Sequence, residues 1–168
     1  LGSSLYVYNI FKSPLALKPI ASLSLGSQYS DEEIRATLHA NNLSYQKLTK
    51  SGLIKSAATA LHEGKIIGWF QGRCELGPRA LGNRSILCRP SPRSMKTKAN
   101  VIKIREQFRP FAGSILQEYV HEYFETPEEK YYSPFMNYCF TVKKEKRKEL
   151  AAIVHADNTC RIQTVSKN

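Results

Sequence analysis

We expect an α/β (or α+β) fold because strand-like and helix-like segments alternate along the sequence without an internal repeat. Short apolar runs at 65–71, 85–88, 111–116 and 135–142 are separated by segments with helical spacing. Of the 168 residues, 42% are hydrophobic and 23% are charged, so the chain can bury a core of its own. A twisted mixed β-sheet with flanking helices is the predicted architecture.

The first part of the chain is predicted to contain a linker followed by two helices. Residues 1–28 have no sustained period and contain two prolines, which indicates the end of a preceding element followed by a linker. Ser30 and Glu33 have the spacing of a capping box, so a helix is expected from there to about residue 41. A second helix, stopped by Gly64, is marked by Leu53, Ala57, Ala58 and Leu61.

Strands and helices then alternate to the end of the chain. The run at 65–71 is predicted to be a buried strand that includes Trp69 and Phe70. A proline in the first turn favours a helix that begins at Ser91-Pro92. The other expected elements are a strand at 85–88, a strand at 111–116, a short helix at 117–124, a strand at 135–142, a charged helix from 143 to about 152, and an extended segment at 155–165.

The loop after the first strand is the most informative part of the sequence. Residues 71–84 contain three glycines, one proline and three arginines. Glycine permits positive φ and lets a ligand approach the backbone closely. A guanidinium group offers a planar fork of donors that suits phosphate or carboxylate oxygens. We therefore predict that this arginine loop is an anion site.

Positive charge is concentrated around this loop. The formal net charge is +11, and the segment from Arg73 to Arg109 holds ten basic residues and two acidic ones, a net charge of +8. Such a concentration indicates an anionic partner, either a phosphate compound or a nucleic acid. A solvated basic face is the alternative interpretation. The glycine, proline and apolar residues that interrupt the run favour a site.

A second basic segment follows at 103–112. Lys103, Arg105 and Arg109 stand at a helix end that runs into Pro110, which stiffens the entry to the next strand. This spacing allows the three cations to converge on one polyanion. The alternative is that Arg105 and Glu106 form surface ion pairs, each worth well under about 1 kcal/mol.

The last segment, 155–165, begins with a turn that contains His155 and Asp157. Alternation along the following strand sends Thr159, Arg161 and Gln163 to one face. This polar face is interpreted either as the lining of a ligand cleft or as the wet face of an edge strand.

The four cysteines show no C-x-x-C pair and no zinc-type spacing with histidine. They are expected to be reduced and mostly buried thiols of a cytoplasmic protein. No apolar run is long enough to span a membrane, and no signal-peptide pattern opens the chain.

Four runs of sequence resemble one family. Residues 68–87 read GWFQGRCELGPRALGNRSIL, residues 103–112 read KIREQFRPFA, residues 133–136 read SPFM, and residues 155–165 read HADNTCRIQTV. Together they resemble the carboxy-terminal region of NodU/CmcH-type O-carbamoyltransferases. The resemblance implies that residues 1–28 are the end of an actin-like domain and a linker. Residues 29–168 would be a YrdC-like domain that is incomplete at its C-terminus.

The resemblance also implies a two-step reaction. The YrdC-like domain of this family binds ATP with Mg²⁺ and carbamoyl phosphate, and it forms a carbamoyl-adenylate. The actin-like domain of the family, of which this chain would hold only the end, passes the carbamoyl group to a hydroxyl acceptor. The chain would therefore be the adenylate-forming half of a carbamoyltransferase at most. Because Mg²⁺ is bound mainly by the phosphates, no metal site is expected in the chain itself.

Site residues follow from the matching motifs. His155 and Arg161 are expected to be catalytic, by orienting the carbamoyl group or assisting proton movement. Asn158 stands where the family often has glycine, so the turn there must accept a side chain. The substrate and nucleotide phosphates are expected to be bound by Arg79, Arg84, Lys103, Arg105, Arg109, Asp157 and Gln163.

Two other functions remain open. A basic RNA-binding module is the first, since YrdC-like folds also occur in proteins of transfer-RNA modification. RNA platforms expose Phe or Tyr among basic residues for stacking. Phe108 and Phe111 lie in an apolar run that we expect to face the core, so nucleic-acid binding is the weaker interpretation. The second is a fragment that keeps the fold but binds nothing tightly.

Overall fold

A computed structural model of the chain describes residues 2–12 and 20–166, and it confirms the α/β class. Within these residues the helices are α1 (Gly2–Phe11), α2 (Asp31–Ala40), α3 (Lys50–His62), α4 (Ser94–Ile102) and α5 (Val120–Tyr123). The strands are β1 (Ile67–Phe70), β2 (Arg84–Leu87), β3 (Ala112–Leu116), β4 (Phe124–Glu125), β5 (Cys139–Val142) and β6 (Thr159–Val165).

The described strands form two sheets. β1 and β2 are an antiparallel pair in which Trp69 lies opposite Ser85. The larger sheet has the order β3-β6-β5-β4, with β3 parallel to β6 and the other two pairs antiparallel. This sheet is mixed, as predicted, and β6 is one of its two inner strands.

The hydrophobic core lies against one face of β6. Cys160 and Ile162 are fully buried there and pack with Val142 of β5 and with residues of the α5–β4 region. Burial raises the pKa of the Cys160 thiol to about 12, so this cysteine is a packing residue. Thr159 and Arg161, at the alternate positions, are only partly buried, as the predicted alternation requires. Gln163, which is assigned to the same polar face, is buried, so the alternation ends at Ile162.

Local sequence signals set the ends of the amino-terminal helices as predicted. The backbone N–H of Glu33 donates to Ser30 Oγ at 3.2 Å, and the N–H of Ser30 donates to the Glu33 carboxylate at 2.8 Å, which closes the capping box. Gly64, just after α3, has a φ of 81° and stops that helix. No helix in the described ranges is long and apolar enough to cross a membrane.

The charged segment at 143–152 differs from the prediction. It contains a short 3-10 helix at Lys144–Lys146, followed by turns, so the predicted α-helix is wrong. Leu150 packs into the core, and the N–H of Ala152 donates to the carbonyl of Pro90 at 2.8 Å. Tertiary contacts therefore decide the conformation of this segment over its helical composition.

Some smaller predictions are also wrong. α4 begins at Ser94 and not at Pro92, and β5 begins only at Cys139. The four cysteines are free thiols, but only Cys160 among them is fully buried and Cys139 is exposed. Residues 13–19, which contain the two linker prolines, and the terminal pair 167–168 lie outside the described residues. The domain boundary at residue 28 stays a prediction.

α4 ends in a turn that has an unusual residue at its left-handed position. The N–H of Arg105 donates to the carbonyl of Asn100 at 3.2 Å, and the N–H of Ile104 donates to that of Val101 at 2.9 Å, the pattern of a Schellman motif. Ile104 has a φ of 49°, which β-branched residues rarely adopt. Its side chain is 93% exposed, so no packing requires isoleucine here.

Replacing Ile104 by glycine is expected to stabilise the chain. Ile104→Gly should raise the free energy of unfolding by about 1 kcal/mol, because glycine adopts the left-handed conformation without a steric clash and no buried contact is lost. Urea denaturation measures the difference. Lys103→Gly is the matched control, since Lys103 has a φ of −80° and gains nothing from glycine. An Ile104→Gly variant no more stable than the unaltered chain would show that this turn is unstrained.

Candidate functional site

Three glycines shape the arginine loop, residues 71–84, which connects β1 to β2. Gly72, Gly77 and Gly82 have φ values of 52°, 111° and 114°. A Cβ atom added at Gly77 or Gly82 would meet no atom within 4 Å. Glycine is therefore required at these two positions by the backbone conformation and not by lack of space.

A carboxylate closes the arginine loop. Glu75 Oε1 accepts hydrogen bonds from the backbone N–H groups of Leu81 and Asn83, each at 2.7 Å. Burial acts to raise the pKa of Glu75, but the backbone N–H groups that it binds, Asn83 and Leu81 first among them, together outweigh it, and the pKa lies below its ordinary value of 4.5. Sequence reasoning missed this residue, because a lone acid in a basic loop carries no distinctive pattern.

Arg84 is used by the loop itself. Its guanidinium donates to the carbonyls of Gln71, Gly72 and Asn83, and it lies 3.6 Å from the centre of the Phe70 ring. Phe70 is 54% exposed, so the prediction of a buried strand is wrong at this position. These contacts leave Arg84 fewer donors for a ligand.

Arg79 has a different environment. It is partly buried, and within residues 2–12 and 20–166 it makes no hydrogen bond or ion pair. All five of its N–H donors are therefore available to an anion.

Asn100 organises the basic loop, residues 103–110. It is fully buried in α4, and its Nδ2 donates to the carbonyls of Gln107 and Arg109 at 3.3 and 3.2 Å. Its Oδ1 accepts from Arg105 Nε at 2.6 Å. Sequence reasoning missed Asn100 as well. The available signal was an amide one position after Ala99, on the buried side of the helix.

Arg105 is the most constrained cation of the basic loop. Its guanidinium stacks on the Phe111 ring at 4.3 Å from the centre. Burial lowers the pKa of Arg105 below its ordinary value, repulsion from Arg109 and Arg161 lowers it further, and Glu106 acts in the opposite direction.

The other two cations of the basic loop face solvent. Arg109 lies 3.7 Å from Glu106, with both side chains more than half exposed, so this ion pair is weak. Lys103 caps the end of α4 and is exposed.

The turn before β6 is held by its own side chains. His155 Nδ1 lies 3.2 Å from Thr159 Oγ1, and its Nε2 lies 3.4 Å from the carbonyl oxygen of Phe111. Asp157 Oδ1 accepts from the N–H and the hydroxyl of Thr159 at 3.0 and 2.7 Å, and these hydrogen bonds lower the pKa of Asp157. Asn158 has a φ of 66°, so this turn does accept a side chain at its left-handed position.

Arg161 and Gln163 are the polar members of β6 nearest the two loops. Arg161 lies opposite Ala112 of β3, and its Nε is buried without a hydrogen-bond partner among the described residues. Gln163 Nε2 donates to the carbonyl of Leu81 at 2.8 Å, and its Oε1 accepts from Ser114 Oγ at 3.0 Å. Gln163 thereby joins the arginine loop to the larger sheet.

These contacts bring the three predicted segments together. The turn before β6 contacts the end of the basic loop, and Gln163 contacts the arginine loop. Arg105 stacks on Phe111, and the next residue, Ala112, lies opposite Arg161 of β6. Arg109 belongs to the same loop as Arg105, and, besides burial, both Arg109 and Arg161 lower the pKa of Arg105 by repulsion, so we call these three residues the arginine cluster. Guanidinium groups in proximity with one exposed carboxylate, Glu106, favour a multiply charged anion between them.

A cavity lies away from these residues. It has a volume of about 710 Å³ and lies along β3, between that strand and residues of β2, α4 and α5. Its walls are mostly apolar, and none of the nine predicted site residues lines it. The cavity therefore does not suit a polyanion. In the described part of the chain, no group of three His, Cys, Asp or Glu side chains is arranged to hold a metal ion.

Comparison with known families identifies the class to which this arrangement belongs. The family model for the carbamoyltransferase C-terminus matches residues 58–168, a range that contains both loops and β6. The chain belongs to this family.

Curated relatives agree with this assignment. The chain is 50% identical over 113 residues to nodulation protein NolNO of Sinorhizobium fredii, which covers 67% of the chain and 17% of the relative. It is 40% identical over 171 residues to nodulation protein NolO of Bradyrhizobium diazoefficiens, covering 99% and 31% respectively. Nodulation protein U of Rhizobium fredii is 35% identical over 149 residues, covering 88% and 23%. The chain thus spans less than a third of the length of these relatives.

The low pKa of Glu75 predicts a pH-dependent contribution to stability. A carboxylate whose pKa is lower in the folded state stabilises the fold above its unfolded pKa, near 4.5, and loses this contribution as the pH falls through the folded pKa. Glu75→Gln should therefore lower the free energy of unfolding at neutral pH. The deficit relative to the unaltered chain should shrink as the pH falls below 4.5.

Urea denaturation across this pH range checks the expectation. Glu129→Gln is the control, because Glu129 is an exposed carboxylate outside the loop. A deficit of Glu75→Gln that is the same at every pH would contradict the role of the ionised carboxylate.

Proposed function

We propose that this chain binds the phosphate groups of ATP and carbamoyl phosphate and forms a carbamoyl-adenylate, which a separate amino-terminal domain passes to a hydroxyl acceptor. The observation that carries the proposal is the arginine cluster, in which Arg161 keeps a buried Nε without a partner. Membership of the carbamoyltransferase C-terminus family supports a carbamoyl group as the group transferred.

The charge of the substrates supports this choice. ATP and carbamoyl phosphate are both polyanions, and a guanidinium fork matches the geometry of phosphate oxygens. Release of pyrophosphate during adenylation concentrates negative charge, which cations fixed by hydrogen bonds stabilise without reorganisation. The predicted phosphate-binding side chains of the two loops carry N–H groups, which donate hydrogen bonds to phosphate oxygens and do not coordinate a metal ion. Mg²⁺ therefore enters as the ATP complex, held by the phosphates.

Each predicted residue has a proposed role that fits its contacts. Lys103, Arg105 and Arg109 bind the phosphates of the nucleotide. Arg79, whose donors are unengaged, binds carbamoyl phosphate together with the remaining donors of Arg84.

The residues around β6 complete the assignment. Arg161 orients the carbamoyl group, and His155 assists proton movement while holding the turn to the carbonyl of Phe111. Asp157 and Gln163, assigned to the phosphates on sequence grounds, act through the backbone that they hold in place.

RNA binding is a second candidate that one observation favours. Phe108 is 78% exposed, so the prediction that it faces the core is wrong. An exposed phenylalanine next to arginine is what a base-stacking platform requires. An RNA-binding surface would show affinity that falls steeply with salt, because each phosphate contact releases counterions.

Calorimetric titration tests the proposed function. The chain is expected to bind ATP–Mg²⁺ and carbamoyl phosphate saturably. Arg109→Ala should weaken ATP binding at least about tenfold, since a charged hydrogen bond is worth about 1.5–3 kcal/mol. Arg35→Ala is the matched control, because Arg35 is an exposed arginine on α2.

Two results would contradict the proposal. One is a folded chain that binds neither ligand. The other is an Arg109→Ala variant that binds ATP as tightly as the Arg35→Ala control does.

A further inference from the structure

A phenylalanine is displayed to solvent on a backbone that is held in place. The carbonyls of Gln107, Phe108 and Arg109 all accept hydrogen bonds from side chains of α4. Asn100 Nδ2 donates to the first and third at 3.3 and 3.2 Å, and Lys96 Nζ donates to the second at 3.3 Å. The Phe108 ring is nevertheless 78% exposed. The backbone that carries this exposed ring is therefore held in place by α4.

The two phenylalanines of this segment, Phe108 and Phe111, have different environments. Phe111 supports the Arg105 guanidinium, whereas Phe108 carries no partner ring or cation among the described residues. Burying a phenylalanine side chain stabilises a fold, so leaving one in water forgoes that contribution. An exposed ring on a fixed backbone beside arginines is the arrangement of a surface that a flat ligand covers.

We infer that the Phe108 ring is the stacking platform for the base of a nucleotide whose phosphates lie on Arg105 and Arg109. This inference rests on the proposed function, because it takes the phosphate site as given. Phe108 directly precedes Arg109 in the chain, so a nucleotide held by its phosphates has its base within reach of the ring. Every base has a flat face that stacks on an aromatic ring.

A mononucleotide accounts for both features of the basic loop. An apolar peptide would cover Phe108 and leave Arg105 and Arg109 without an anionic partner. A strand of RNA requires successive aromatic platforms along a basic track. Phe70, the exposed phenylalanine at the arginine loop, has Arg84 stacked on its ring at 3.6 Å, so that face is closed to a base.

The test compares ATP with inorganic triphosphate, which carries phosphates but no base. Both ligands are titrated into the 168-residue chain and into Phe108→Ala, Phe108→Trp and Val101→Ala. Val101 is 62% exposed on α4, so Val101→Ala controls for the loss of an exposed apolar side chain. Phe108→Ala should weaken ATP binding about tenfold and leave triphosphate binding unchanged. Val101→Ala should change neither.

Phe108→Trp gives a second readout. It should retain ATP binding, and its fluorescence should be quenched by ATP but not by triphosphate, relative to the unaltered chain with its own Trp69. This signal does not depend on a change in stability, so it separates stacking from a structural effect of the alanine variant.

The outcomes separate the platform from the phosphate site. Equal ATP affinity in Phe108→Ala and in the unaltered chain overturns the platform and leaves the phosphate site standing. An unaltered chain that binds neither ATP nor triphosphate overturns the proposed function and the platform with it. A third outcome is that oligoadenylate binds more tightly than ATP, with a steep salt dependence and with a loss of affinity in Phe108→Ala. That result assigns the ring to RNA binding and overturns the inference of a mononucleotide platform.

Discussion

The buried side chain of Gln163 is the contact on which the arrangement of the site depends. It is 8% exposed, and its amide joins Leu81 of the arginine loop to Ser114 of β3. A neighbouring residue of the same strand, Ile162, is fully buried in the core. Removing either hydrogen-bond partner would leave a buried amide group unsatisfied, at a cost of about 1–3 kcal/mol. One strand therefore fixes both the core and the position of the loop.

The arginines of the arginine loop divide into those that hold the loop together and those whose donors are unengaged. Arg84 donates to the carbonyls of its own loop, whereas Arg79 has no partner in the described part of the chain. Composition cannot make this distinction, because both arginines lie among the glycines of one loop. It is decided by the path of the backbone, which turns the carbonyls of Gln71 and Gly72 towards one guanidinium and not the other.

Sequence patterns predicted the features that depend on residues a few positions apart. The Ser30 capping box, the stop at Gly64 and the alternation of β6 from Thr159 to Ile162 are of this kind. Contacts distant in sequence decided the rest. The hydrogen bond from the N–H of Ala152 to the carbonyl of Pro90 belongs to a turn where a helix was predicted. The hydrogen bonds from Asn100 to the basic loop fix a backbone on which Phe108 faces solvent.

A site for polyanions must hold its cations together without neutralising them. Carboxylates paired with the guanidinium groups would hold the cations together but would also neutralise them. A bound anion would then have to compete with an internal ion pair. The chain mainly uses uncharged amides, Asn100 for the basic loop and Gln163 for the arginine loop. The one carboxylate paired with the cluster, Glu106, forms only a weak, exposed ion pair with Arg109. The partly buried carboxylate of the arginine loop, Glu75, binds backbone N–H groups and no arginine. Most of the positive charge of the cluster is thereby left for the proposed polyanion to balance.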